Sequence, residues 1–145
     1  MMELKELQRY FPDANIETWH RHPNGNGWVK NTAHVSDTVF VEQNCIISGN
    51  SRIFGNSRIF GDARIFGDSW EISPIQVIGS FGYTVCLSSH STISVGCEHH
   101  DFKTWLKNGN RILAKHSNSE QGISEYMTHI KYVIKMAKLV LKEAK

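Results

Sequence analysis

The sequence predicts a mainly β protein: a short parallel β-helix of three coils, preceded by a short helix and followed by a β-hairpin and a long amphipathic helix. Three observations carry this expectation. A six-residue period runs from Val29 to Val77, a glycine recurs within that period, and the two flanks carry helical and hairpin patterns of their own.

Aliphatic residues stand six apart at Val29, Val35, Val41, Ile47, Ile53, Ile59 and Ile65; Glu71 breaks the series and Val77 restores it. Two residues before each lies a mostly small one: Ala33, Val39, Cys45, Ser51, Ser57, Ala63, Ser69 and Ile75. One bulky and one small inward residue per unit suit a short strand that ends in a tight corner. Gly49, Gly55, Gly61 and Gly67, followed by Asn50, Asn56, Asp62 and Asp68, supply corners that need left-handed backbone. Three units per turn would stack residues eighteen apart, giving coils 29–46, 47–64 and 65–82. Val29 would lie under Ile47 and Ile65, Val35 under Ile53 and Glu71, and Val41 under Ile59 and Val77. A run of hairpins with Gly-Asn turns is the alternative, but hairpins have no reason to hold one period over eight units.

The outward positions follow the same period. Phe54, Phe60 and Phe66 occupy equivalent sites, as do Arg52, Arg58 and Arg64. The predicted columns are His34–Arg52–Trp70, Phe40–Arg58–Gln76 and Ile46–Arg64–Gly82. Three outward phenylalanines would leave an apolar surface that a homotrimer buries. Cover by the terminal segments of the same chain is the other solution. Arginine beside aromatic rings suits a phosphate and a purine.

The flanks divide the chain into 1–28, 29–82 and 83–145. Residues 3–11 have Leu4, Leu7, Tyr10 and Phe11 at helical spacing, stopped by Pro12. Residues 20–28 form a Gly-Asn entry loop, in which His20 and His22 lack further donors at metal-ligand spacing. Runs 83–88 and 92–97 read as a hairpin. The stretch 101–110 reads as a short helix closed by Asn108 and Gly109. A polar stretch, 115–122, precedes a final helix whose stripe includes Ile123, Tyr126, Ile130, Val133, Ile134 and Ala137.

Composition bounds the function classes. A net charge of +2 in 145 residues gives no footprint for a nucleic-acid polymer. The charged N-terminus resembles no secretory signal, and lysines interrupt the apolar stretches near the C-terminus, so neither export nor membrane insertion is expected. Three irregularly spaced cysteines read as cytosolic thiols. Cys45 and Cys86 are expected in the core, and Cys97 as a buried thiol.

The order of the motifs resembles a group of small bacteriophage hexapeptide-repeat, transferase-like proteins. The matching elements are Gly27–Val29, the hexapeptides, Ile78–Ser80 with Thr84, Gly96–Cys97, the segment from Phe102 to Leu106, His116 and Tyr126. The resemblance implies a left-handed coil and a cytoplasmic location in an infected bacterium. It departs at Phe81, where an arginine commonly follows the "IGS" motif.

Three functional classes are weighed. A hexapeptide-repeat acyltransferase would need a positioned histidine base, and only His34 lies within the coils, near their open end. In "CEHHD", Cys97, His99, His100 and Asp101 alternate in direction along an extended strand and cannot all converge. A non-enzymatic binder of a small anionic ligand is favoured, with no cofactor and no metal; the resemblance makes that ligand a nucleotide-derived host immune signal, sequestered as an anti-defence function. A structural or protein-blocking oligomer is the third class. The expected ligand site comprises Ser80, Tyr83 and Thr84, where the repeats give way to a Gly-rich segment, with Arg58 or Arg64 nearby. The His34 and Trp70 column is the second choice.

Overall fold

A computed structural model describes residues 1–70, 73–116 and 118–141. Among these residues are thirteen short strands and three helices. They correct the expected fold. The strands fall into four separate sheets, one mixed, two parallel and one wholly antiparallel; none closes and none winds as a solenoid, so the chain is not a parallel β-helix.

The repeat still dictates local pairing in its first two thirds. Strand β2 (Trp28–Lys30) pairs in parallel with β5 (Ile46–Ile47), and β5 with β8 (Arg64–Ile65), so Val29, Ile47 and Ile65 stand in one row. Strand β3 (His34–Val35) pairs with β6 (Arg52–Ile53), and β4 (Phe40–Val41) with β7 (Arg58–Ile59). The inward aliphatics Val29, Val41, Ile47, Ile53, Ile59 and Ile65 are fully buried. Ser51 and Ser57 are buried beside them because their hydroxyls donate to Ser48 O and Phe54 O. Gly49 and Gly61 turn two corners at φ +65° and +64°, where a Cβ would also collide with Phe66 O and Thr84 Oγ1.

The pattern then slips. At the next corner Asp68, not Gly67, takes the left-handed conformation, at φ 69°. In β9 (Ser69–Trp70), Trp70 stands opposite Ile53 and its side chain is buried. A one-residue slip exchanges the two faces of a strand. The outward column His34–Arg52–Trp70 is therefore not formed; Ser69 lies beside Arg52. Glu71, the expected partner of Ile53, lies outside the described residues. Val77 does not join Val41 and Ile59 either. It belongs to β10 (Gln76–Ile78), which pairs antiparallel with β11 (Thr84–Ser89). The edge of β7 is met by side chains instead: Ser73 Oγ accepts from Arg58 N, Gln76 Oε1 accepts from Phe60 N, and Gln76 Nε2 donates to Arg58 O.

The N-terminal segment covers one row of outward residues. Helix α1 is a single turn, Leu4–Leu7, shorter than the expected 3–11. Met2, Leu7, Ala14, Trp19 and Trp28 cluster on Ile46, and strand β1 (Trp19–Arg21) pairs antiparallel with β2. Ile46 and Arg64, expected outside, are buried for this reason. The three phenylalanines are half-buried. Phe66 packs 4.3 Å from His99 and 6.5 Å from Phe11, Phe60 lies 6.4 Å from Phe40, and Phe54 lies 5.6 Å from His34, centroid to centroid. The apolar surface that suggested a homotrimer is thus partly covered within one chain.

The expected hairpin forms from β11 and β12 (Thr92–Val95), and β13 (Glu98–Asp101) extends it to a four-stranded sheet with β10. Helix α2, Phe102–Ala114, does not stop at Asn108 and Gly109. Gly109 is instead where α2 meets α3, since a Cβ there would lie 2.4 Å from Met127 Sδ. Asp101 caps α2 through Thr104 N, and Ser119 caps α3, Glu120–Val140, through Gly122 N. Trp105, Tyr126, Ile130 and Val133 close the core over the sheet. No helix among the described residues is long and apolar enough to cross a membrane.

Candidate functional site

A cavity of about 250 Å³ opens where the N-terminal segment, the repeats and the C-terminal sheet meet. Its lining brings Tyr10, Asp62, Arg64 and Tyr83 together with Cys97, Glu98 and His116, and Leu113 and Val95 add apolar surface.

Arg64 is held there by the register of β8. Its guanidinium carbon lies 3.8 Å from the centroid of the Tyr10 ring, a cation–π distance. Its Nε is buried and has no hydrogen-bond partner. Among the described residues Arg64 forms no ion pair. A buried donor left open in this way costs free energy unless a ligand or water completes it. Asp62, nearby, is engaged: its Oδ1 accepts from Thr84 N at 2.7 Å, and its N–H donates to Thr84 Oγ1 at 3.2 Å.

Tyr83 is positioned by Tyr126. The Tyr126 hydroxyl accepts from Phe81 N at 3.2 Å and Tyr83 N at 3.1 Å, fixing the turn that joins β10 to β11. Burial pushes the Tyr126 phenol above its ordinary pKa, so it stays a neutral acceptor.

Gly96, next to the Tyr83 ring, turns the chain between β12 and β13 at φ +56° and leaves Cys97 exposed, not buried as expected. Cys97 precedes β13, so strand alternation does not govern its direction, and its Sγ lies 3.9 Å from His116 Nε2. His116 Nε2 also lies 2.7 Å from Glu98 Oε2, while His100 Nε2 lies 2.7 Å from Glu98 Oε1 and Lys115 Nζ 3.9 Å from Oε2. Burial pushes the Glu98 carboxyl up, but the His116 and His100 hydrogen bonds and the Lys115 charge outweigh it and hold the pKa below the ordinary value. His116 offers the same nitrogen to thiol and carboxylate. A nucleophile–base–carboxylate relay needs two different ring nitrogens, so these three residues do not form one.

The structure separates the residues expected to act together. Arg64 and Tyr83 share the cavity, and Thr84 is buried behind it on Asp62. Ser80 turns to α3, its N–H and hydroxyl both donating to Glu125 Oε2 at 2.9 Å. Arg58 lies on another sheet, 5.2 Å from the Phe40 ring and 5.9 Å from Phe60. His34 sits beside Phe54, and buried Trp70 donates Nε1–H to Gly67 O and meets His90 edge-on. Tyr10 and Glu98 were not foreseen as site residues. Glu98 reaches His116 only because α2 returns its far end to the start of β13, which no local spacing announces.

Comparison with known protein families, with curated proteins and with solved structures finds no match.

Proposed function

We propose that the protein binds a small anionic molecule of mononucleotide kind in the cavity under Arg64. The observation that carries this is Arg64 in the cavity lining, with its guanidinium on the Tyr10 ring and its buried Nε without a partner in the chain. A guanidinium with open donors is suited to phosphate or carboxylate, and its bonds there are charge-assisted. Tyr10 and Tyr83 add ring faces for a planar group. The volume, about 250 Å³, is slightly below the ~300–1,000 Å³ usual for drug-sized ligands, so one phosphate and one ring system set the scale. Binding without turnover is favoured because the cavity's thiol and carboxylate share one imidazole nitrogen. Sequestration of a nucleotide-derived signal in an infected bacterium is the biological role we infer from the resemblance in motif order.

Purified protein incubated with a bacterial nucleotide extract, washed and denatured should release an intact phosphate-bearing nucleotide. Arg64→Ala protein should release none. Release of a chemically altered nucleotide would replace the proposal with an enzymatic one, and release of nothing from the wild type would overturn it.

A further inference from the structure

We propose that Cys97 Sγ, Glu98 Oε2 and His116 Nε2 form a three-donor site for a divalent zinc-type ion, with the fourth position open to the cavity. The three atoms lie within 4.8 Å of one another. Tetrahedral zinc with thiolate, imidazole and carboxylate ligands sets its donors about 3.3–3.8 Å apart, from bond lengths of roughly 2.0–2.3 Å. The present spacings of 3.9 Å between Sγ and Nε2 and 2.7 Å between Nε2 and Oε2 straddle that range, so small side-chain rotations suffice.

The same geometry that argues against a catalytic relay argues for ligation. A single imidazole nitrogen facing both a thiol and a carboxylate is what a shared central ion requires. Thiolate and imidazole together favour zinc over the hard cations magnesium and calcium.

The surroundings also fit. His100 Nε2 meets Glu98 Oε1, leaving Oε2 to face His116; a second partner of this kind commonly orients a metal-binding carboxylate. The His100 ring is itself steadied edge-on against Trp105, 5.3 Å away. Lys115, near Oε2, is largely exposed and free to swing out when an ion binds. Gly96 supplies the turn that lets adjacent Cys97 and Glu98 present donors to one point. The ion would tie the segment after α2 to the start of β13. All three ligands line the cavity, so its free position would face the space beside Arg64. The site shares its cavity with the proposed nucleotide, but its three donors include neither Arg64 nor the tyrosine rings assigned to that ligand, so metal binding can be tested without nucleotide.

Cobalt(II) is the probe, added to chelator-treated, tag-free protein without nucleotide. One equivalent should produce a thiolate-to-cobalt charge-transfer band and the intense visible bands of a tetrahedral centre, and zinc should abolish both. Cys97→Ser should lose the charge-transfer band. His116→Ala should weaken cobalt binding at least tenfold, and Arg58→Ala, on another sheet and away from the cavity, should leave it unchanged. Zinc should raise the melting temperature of the wild type but not of Cys97→Ser, because an ion that binds only the folded state stabilises it. Cys97 is exposed, so Cys97→Ser should keep the wild-type circular dichroism. Absence of the charge-transfer band in the wild type, or its persistence in Cys97→Ser, would overturn the site.

Discussion

Trp70 stands opposite Ile53, seventeen residues on, where a strict period would bring the eighteenth. The slip turns a position expected outside into one that is 1% exposed, and the indole donates to Gly67 O at 2.9 Å. Trp70 therefore ends the regular pairing by filling the core below it. Trp70→Ala should destabilise the protein by about 3–5 kcal/mol, the usual cost of removing a large buried ring. Urea denaturation followed by circular dichroism checks this. A loss below 1 kcal/mol would mean that the indole is not a core element.

Tyr126 and Gly79 make a second test of packing. A Cβ at Gly79 would lie 2.3 Å from Tyr126 Cε1, and the Tyr126 hydroxyl holds the Phe81 and Tyr83 N–H groups. Tyr126→Phe leaves two partly buried donors without their acceptor, at a cost of roughly 1–3 kcal/mol. Amide exchange at Phe81 and Tyr83 should quicken in this variant while exchange in α2 stays slow. Equal protection in both proteins would show that the hydroxyl does not hold the turn.

Much of this was legible in the sequence, and the failures come from contacts between residues distant in the chain. Ile47 and Ile53 announce their faces because nothing competes with a short aliphatic rung. The third coil fails where Asp68 takes the corner from Gly67 and Gln76 meets the β7 edge with its side chain. Both events are long-range, and neither changes the apparent period. Arg64 was visible as a candidate but not its burial, which comes from Tyr10 and the N-terminal cluster. The Cys97, Glu98 and His116 grouping spans a whole helix, and extrapolating strand alternation back to Cys97 concealed it.

His22 sets a pH dependence. It is 1% exposed, and its Nε2 lies 2.7 Å from Val39 O, where the neutral ring's N–H donates. Burial lowers its pKa; the Val39 bond and Asp37 oppose this, while His20 adds to it. The unfolded chain thus takes up the proton first as pH falls. Stability should be fully present above the unfolded value of 6.5 and be lost as pH drops from there through the lowered folded pKa. Melting temperature measured from pH 8 to 5 should fall across that window. His22→Gln, which keeps a donor near Val39 O, should show a flatter profile. An identical slope in both proteins would assign the effect to other groups.

Arg64 separates ligand binding from packing. Its side chain is 7% exposed and lies on Tyr10, so truncation to alanine removes both a stacked stem and the cavity's guanidinium. Arg64→Met retains much of the stem and removes only the charge and its donors. For the nucleotide recovered from extract, Arg64→Met should weaken binding by about 1.5–3 kcal/mol, the range for a hydrogen bond to a charged group. Its melting temperature should fall only slightly, because the Nε had no partner in the chain and the loss is confined to the cation–π contact with Tyr10. Tyr83→Ala should cost roughly 1–3 kcal/mol of affinity if its ring stacks on the ligand. Ser80→Ala and Arg58→Ala serve as contrasts. The Ser80 hydroxyl is engaged by Glu125 and Arg58 lies on another sheet, so neither change should alter affinity. Calorimetric titration of the four variants distinguishes the outcomes. Weakening by Ser80→Ala or Arg58→Ala with Arg64→Met unaffected would remove the ligand from this cavity and return it to the Gly-rich turn or the β7 face.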